Sequence, residues 1–309
     1  MSSTVAVVGC GPIGAATAYG LVRAGIGNVT LVTGTPDTAT YRSSGGSVCW
    51  HRNDPEKAAM IRATAKFVRD RVAAGAPIQV REQPYLFLDE GVLVPALNIA
   101  AADLVADLAE LAVRGGVRTR DVGLVVGVER VEGGHRVVGE PGTVDAAVVV
   151  LALGTGNAAL TGGAQPELEK RQLFVLDLPV TAGRAGLPHM VAPIGDGYAY
   201  VFVKQTPDGL RLLLGQEDLV DDRDLSGPVD HLADLLAAGV ADRFPFLRGA
   251  AATEVLWGLD LAAKLPVVTE PGPGLLTVNC GSAVRACVPI GERAAARVAA
   301  LLHCSRSGH

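Results

Sequence analysis

Three glycines at fixed spacing, Gly9, Gly11 and Gly14, are the residues of this chain best suited to a defined chemical task. They follow the β-branched, apolar run Thr4–Val8 and precede the small-residue run Ala15–Ala24, with Pro12 and Ile13 inside the turn. The spacing divides the work. Gly9 permits a tight turn out of a strand, Gly11 lets main chain approach a pyrophosphate, and Gly14 lets a helix pack closely on the sheet. The free N–H groups of that helix N-terminus then face the anion. The plain alternative is a tight strand–helix turn that binds nothing. The strand before it and the small-residue helix after it favour a dinucleotide site.

The next chemical position is Thr33, 19 residues after Gly14, at the end of a second strand, Val29–Thr33. An acid there commonly accepts hydrogen bonds from a ribose. A neutral hydroxyl forgoes the about 1.5–3 kcal/mol of a charged bond. Asp37, in the following loop, could supply the missing acid; Arg42 could meet a 2′-phosphate, as in an NADP-linked reductase, or stay solvated.

These positions need a scaffold, and the pattern of the chain provides one. Thr4–Val8, Ala15–Ala24 and Val29–Thr33 make a strand–helix–strand unit with right-handed crossover. Helical character follows over Pro55–Ala73 and, with an apolar stripe of Leu104, Leu108 and Leu111, over Ala100–Arg114. Strands are expected at Val80–Leu88, Gly123–Val131, His135–Val138 and Val144–Leu153. Between Gln165 and Thr253 the texture changes to short alternating segments, Phe174–Leu178, Tyr198–Lys204 and Leu210–Leu214, broken by one helix, Val229–Ala241. Gly274–Asn279 and Pro289–Leu302 close the chain as strand and helix.

Composition excludes several classes. With 309 residues, 49% hydrophobic and 19% charged, the chain must bury a large core. The net charge of −5 and the absence of a Lys/Arg cluster argue against nucleic acid as a partner. The longest apolar run, Ala146–Leu153, is far short of the roughly 20 residues that cross a bilayer, so no membrane partner is expected. Met1–Thr4 leads straight into a strand, five scattered cysteines form no framework, and a cytoplasmic location is expected. Cys49 and His51 make at most half a metal site, and no metal is expected. No Gly-x-Ser-x-Gly elbow supports hydrolase chemistry.

Several segments together resemble the FAD-dependent D-amino-acid oxidase family, with glycine oxidase and sarcosine oxidase. They are the N-terminal VAVVGCGPIGAATAYGLVRAG, the loop Arg42-Ser43-Ser44-Gly45-Gly46, the Val94–Ile99 segment before the Ala100–Arg114 helix, and Val144–Gly154. Leu276–Ser282 followed by Val288-Pro289-Ile290-Gly291-Glu292-Arg293 is similar to the family's terminal strand, glycine loop and helix start. The resemblance implies an α/β fold. A Rossmann-like FAD-binding domain with a three-layer, mostly parallel sheet would span 1–78, 96–164 and 254–309. An inserted, mainly antiparallel substrate domain would span 79–95 and 165–253. It implies FAD held by Gly9, Gly11, Pro12, Ile13, Gly14, Thr33, Ser43, Ser44, Gly45, Gly46, Gly154, Gly281, Ser282, Pro289 and Ile290. Some members attach flavin through cysteine, which singles out Cys280 and Cys287.

The implied activity is oxidation of the C–N bond of a small amine or amino-acid-like substrate to an imine. A homodimer is left open. Members that act on amino acids place an arginine after a Trp-x-Gly segment to clamp the substrate carboxylate. Here the segment reads Trp257-Gly258-Leu259-Asp260, with an acid at that place. Either the substrate lacks a free carboxylate or another cation, Lys264, Arg285 or Arg52, binds it. His51 and His189 are further candidates, each with a local structural role as the alternative. Tyr198 and Tyr200 share a strand face and are expected to pack in the core. Thr33, Asp260 and the bulky Ala283–Ala286 loop also motivate a redox-inactive binding subunit as the competing reading.

Overall fold

The computed structural model describes residues 5–34, 40–51, 53–162, 167–206, 209–217, 225–262 and 266–307. Its strands are β1 (Val5–Val8), β2 (Val29–Thr33), β3 (Ser47–Val48), β4 (Val80–Glu82), β5 (Tyr85–Phe87), β6 (Val92–Val94) and β7 (Leu97–Ile99). They continue with β8 (Arg118–Asp121), β9 (Gly123–Val131), β10 (Gly134–Pro141), β11 (Thr143–Ala146), β12 (Val148–Leu151) and β13 (Leu168–Leu176). The last six are β14 (His189–Ile194), β15 (Gly197–Thr206), β16 (Gly209–Glu217), β17 (Ala252–Leu261), β18 (Val267–Gly272) and β19 (Leu275–Asn279). The long helices are α1 (Pro12–Arg23), α2 (Pro55–Ala73) and α3 (Ala101–Arg114). Short turns α4 (Asn157–Thr161), α5 (Ala182–Ala185), α6 (Leu232–Leu235) and α7 (Ala241–Arg243) precede the 25-residue α8 (Ala283–Ser307).

A six-stranded sheet, ordered β18-β19-β12-β1-β2-β8, is parallel except at β18. Its central strands β1 and β12 read as continuous apolar runs because both faces are covered, whereas the edge strands β8 and β18 carry exposed polar residues. Val5, Val7, Leu31, Val150 and Leu276 face α1, α2, α3 and α8. Ala6, Val8, Val32, Val149 and Leu151 face a three-stranded antiparallel sheet, β11-β10-β9. The result is three layers. Helices α1 and α8 cross where glycines meet: a Cβ on Gly20 would lie 3.0 Å from the carbonyl oxygen of Gly291.

A second sheet, β17-β13-β16-β15-β14-β5-β6, is antiparallel apart from the β5–β14 pair. Strict alternation splits its residues. On β15, Ala199, Val201 and Val203 enter a core with Leu212, Leu214, Leu232 and Phe244, while Tyr200 and Phe202 point the other way. β17, which the sequence reading placed with the cofactor segments, pairs with β13 from Leu168↔Leu261 to Leu176↔Ala252. A third, small antiparallel sheet is ordered β3-β7-β4.

Several sequence boundaries need correction. Val80–Leu88 divides at Pro84 into β4 and β5 of different sheets, and Val144–Leu153 divides at Ala147 into β11 and β12. The helix expected over 229–241 is interrupted, with Gly239 at φ 111°. The final helix begins at Ala283, six residues before Pro289, so the proline lies inside it rather than at its first turn.

Candidate functional site

The glycine turn is fixed by steric exclusion. A Cβ on Gly14 would sit 1.8 Å from the Gly9 carbonyl oxygen, and one on Gly9, at φ +102°, would sit 2.7 Å from that of Ala152. Neither position tolerates a side chain. Gly11 differs: its Cβ would meet nothing nearer than Tyr41 Cδ1 at 3.9 Å, so the space above it is open. Gly11 is also the N-cap of α1, with no side chain capping the helix and no acid in its first turn. An open helix N-terminus with no side-chain cap and no acid in its first turn has free N–H groups suited to an anion.

A cavity of about 1560 Å³ runs from this turn to the seven-stranded sheet. Ordinary small-molecule sites occupy roughly 300–1,000 Å³, so there is room for an extended dinucleotide and a small substrate together. Gly9, Gly11, Pro12, Ile13, Thr33, Arg42, Ser43, Ser44, Gly45, Gly46 and Gly154 line it. Gly14 lies behind the turn. The Arg42 guanidinium lies 5.8 Å from the Tyr41 ring centre. Asp37 falls outside the described residues.

The Ser43–Gly46 loop is held by the small sheet, through β7, and by the seven-stranded sheet, through β15. Asn98 Nδ2 donates to the Gly45 carbonyl at 2.8 Å, Ile99 N donates to that of Gly46 at 2.8 Å, and Lys204 Nζ donates to that of Ser44. Gly46 has φ +67°, and a Cβ there would lie 1.9 Å from the Ile99 carbonyl oxygen. Burial lowers the Lys204 pKa.

At the opposite end the wall is aromatic. The rings of Tyr85 and His189 stack at 3.8 Å, and those of His189 and Phe202 at 4.5 Å with planes 5° apart. The register His189↔Tyr85 across β14 and β5 makes this stack a cross-strand feature. His189 is buried, and its Nδ1 lies 3.0 Å from Ser47 Oγ. Burial, reinforced by the charge of Arg285, holds its pKa well below the usual histidine value, so the ring is neutral. Tyr198 and Tyr200 both line this wall: Tyr200 packs against the buried clusters of Tyr85, Phe87 and Phe202 as expected, whereas Tyr198 is exposed and not in the core. The Tyr200 ring lies over Gly215, where a Cβ would come within 2.1 Å of it.

Charged groups surround the wall. Arg171 on β13 pairs with Glu169 and, at 3.4 Å, with Glu217. Arg285, in the first turn of α8, donates from Nε to the Ser47 carbonyl at 3.0 Å. No carboxylate lies within ion-pair distance of Arg285 among the described residues. Lys57 of α2 also lines the cavity. Asp260 accepts from Ser282 N with both oxygens, at 3.1 and 2.9 Å, and from Leu261 N at 2.9 Å. It therefore straps β17 to the start of α8 at Ser282, whose φ is +54°, and presents no clamp for a substrate acid.

The structure separates the remaining sequence candidates. His51 lines the cavity and meets Glu90 at 2.8 Å. Gly281 is buried beside the lining residue Ser282. Pro289 and Ile290 are not part of the cavity: α8 starts earlier, which places Ile290 in the core at 0% exposure. Arg52 and Lys264 lie outside the described residues. Burial raises the thiols of Cys280 and Cys287 to about 12, keeping both protonated. Sequence reasoning missed Lys57, Arg171, Glu217, Tyr85 and Phe202. A lysine at the third position of a helix, after the Asp54 cap and Pro55, was a visible signal, because that end favours acids.

The profile of the DAO family, described as FAD dependent oxidoreductase, matches residues 4–100 and 88–297. Solved structures share the fold at low identity. Iminodiacetate oxidase (IdaA) from Chelativorans sp. BNC1 is 20% identical, with a TM-score of 0.71 over 97% of this chain and 95% of that one. Glycine oxidase from Geobacillus kaustophilus is 20% identical, at 0.67 over 93% and 92%. L-proline dehydrogenase from P. horikoshii is 14% identical, at 0.73 over 95% and 92%. No curated protein sequence matches the chain.

Proposed function

Since the chain belongs to the DAO family of FAD-dependent oxidoreductases, we propose that it oxidises the C–N bond of a small amine bearing a carboxylate, with Arg285 as the carboxylate anchor. The observation that carries this reading is one continuous cavity joining the open N-terminus of α1 to a wall where Arg285 has no carboxylate partner among the described residues. The names of solved relatives, iminodiacetate oxidase and glycine oxidase, support the substrate class.

Residues of the near end suit FAD. Main chain of Gly9–Ile13 would take the pyrophosphate and Thr33 a ribose hydroxyl, while Ser43–Gly46 and Ser282 would flank the ring. When bound, FAD would supply the two-electron acceptor for the hydride lost from the substrate Cα–H as the amine becomes an iminium. The protein's own part is position and environment. Arg285, fixed by Ser47, offers its two terminal nitrogens to a carboxylate in fork geometry. The stacked Tyr85, His189 and Phe202 exclude water from one side. A neutral His189 beside Arg285 adds no competing charge. The family match replaces the NADP reading of Arg42.

The test is anaerobic mixing of the yellow holoprotein with small amino and imino acids while following flavin bleaching. Bleaching is expected in the wild type. In Arg285→Met flavin is retained and half-saturation rises by ~10- to 100-fold, the worth of a charge-assisted bond. A holoprotein that no amine bleaches would leave the binding-subunit reading in its place.

A further inference from the structure

Taken as a set, the charges of the cavity are unevenly compensated. Arg171 has Glu169 and Glu217, and Arg42, beside the Tyr41 ring, is exposed and keeps its water. Arg285 and Lys57 have no carboxylate partner among the described residues. We propose that the substrate carries two acid groups, one bound by Arg285 and the other by Lys57, so that the preferred substrate is a dicarboxylic amine or amino acid. This rests on the amine-oxidation reading above and narrows its substrate class.

Lys57 occupies a place that disfavours a cation three times over. It stands in the first turn of α2, capped by Asp54, where the helix dipole is positive. It is half-buried, so its ammonium has lost part of its water. It also feels the charge of Arg285, and burial followed by that charge lowers its pKa. Cys280 and Asp260 act in the opposite direction, but the Asp260 carboxylate is already engaged by two backbone N–H groups. A cation kept at such a site without an ion pair marks a place where a ligand brings the anion.

One carboxylate, even where its lone pairs reach both cations, balances only one of the two positive charges. With Nε committed to Ser47, the two remaining nitrogens of Arg285 are matched by the two oxygens of a single carboxylate. The Lys57 ammonium, a compact point charge with three donors, then still lacks an anion. A second acid on the same molecule completes the pairing. The rival use of Lys57 is to face the polar edge of the flavin ring, which would tie the lysine to the cofactor's potential and not to ligand choice.

The experiment uses isosteric ligands that differ by one charge. Succinate and succinamate are titrated into the holoprotein, with binding read by calorimetry and by perturbation of the visible flavin spectrum. Flavin reduction is then followed with aspartate and glutamate of both hands against asparagine and glutamine. Succinate is expected to bind at least about tenfold more tightly than succinamate. Lys57→Met brings the ratio toward one, and Lys57→Arg restores part of it. Equal binding of the two ligands by the wild type overturns the proposal without needing any variant. So does a Lys57→Met protein that keeps the ratio and shifts the flavin midpoint potential instead. If succinate is preferred but no amine reduces the flavin, the amine-oxidation reading fails while the two-acid site stands.

Discussion

At the glycine turn, the groups offered to a ligand are main-chain N–H groups fixed by backbone geometry. At the seven-stranded sheet they are side chains, spaced by the two-residue period of β13, β15 and β16 and by the first turn of α8. The first end has almost no freedom, because the Gly14 Cβ and the Gly9 carbonyl cannot both exist there. The second end has a great deal, because a strand position can change its side chain without disturbing the ladder that carries it. Under the proposed function, cofactor binding and substrate choice are thus carried by different kinds of atoms. Substitutions at the two ends should fail in different ways.

The largest expected effect contrasts two glycines of the same turn. In Gly14→Ala the new methyl meets backbone, which cannot swing aside, so stability falls by about 1–3 kcal/mol and no flavin copurifies. In Gly11→Ala the methyl has room within the protein, so the apoprotein melts within about 0.5 kcal/mol of wild type. It occupies the approach to the α1 N-terminus, however, and FAD affinity drops by at least ~10-fold. Thermal melts of the apoproteins and FAD titrations check both. Full FAD affinity in Gly11→Ala would mean that the pyrophosphate does not lie over that residue.

The same division explains what the sequence could show. A backbone function leaves its mark on residue type, since only glycine fits at 9 and 14, and that mark is local in sequence. The buried runs Val5–Val8 and Val148–Leu151 were legible for a similar reason: a strand covered on both faces has no polar positions. The wall was not. Arg171, Tyr200, Glu217 and Arg285 are brought together by the register of β16 against both its neighbours, Leu173↔Gly215 and Tyr200↔Gly215, and by the early start of α8, none of which a single chain announces. Tyr198 and Tyr200 were rightly placed on one face, but which face met the cavity depended on the core that Ala199 and Val201 enter. Pro289 misled because a proline in a first turn is common and one inside a helix is rare.

A smaller effect is expected at the wall itself. Gly215→Ala places a Cβ 2.1 Å from the Tyr200 ring, which is the far end of a side chain and can rotate away. The ladder β13-β16-β15 is kept and flavin is retained, but the ring that lines the substrate end is displaced. Expected is a fall of ~10-fold in kcat/KM for the best substrate, with flavin content unchanged. Loss of flavin from this variant would break the separation of the two ends, because it would couple the wall to the cradle through the Ser43–Gly46 loop that Phe202 touches.

The smallest effect concerns His189, and its sign follows from proton bookkeeping. Burial, then Arg285, holds its pKa in the folded protein well below 6.5, while the unfolded chain titrates near 6.5. Above about pH 6.5 both states are neutral, and the histidine's contribution to stability is full. As pH falls below that value, the unfolded state takes up a proton that the folded state refuses, so stability is lost toward the low folded pKa, by at most ~1.4 kcal/mol per pH unit. His189→Asn removes the titration and also the stack with Tyr85 and Phe202. The variant should therefore melt lower than wild type at pH 7.5, yet lose less on going to pH 5.5. Parallel melting curves against pH would show that His189 takes its proton in the fold as readily as outside it. In that case the wall would be open to water, and the dry surface against which Arg285 holds an acid would have to lie elsewhere in the cavity.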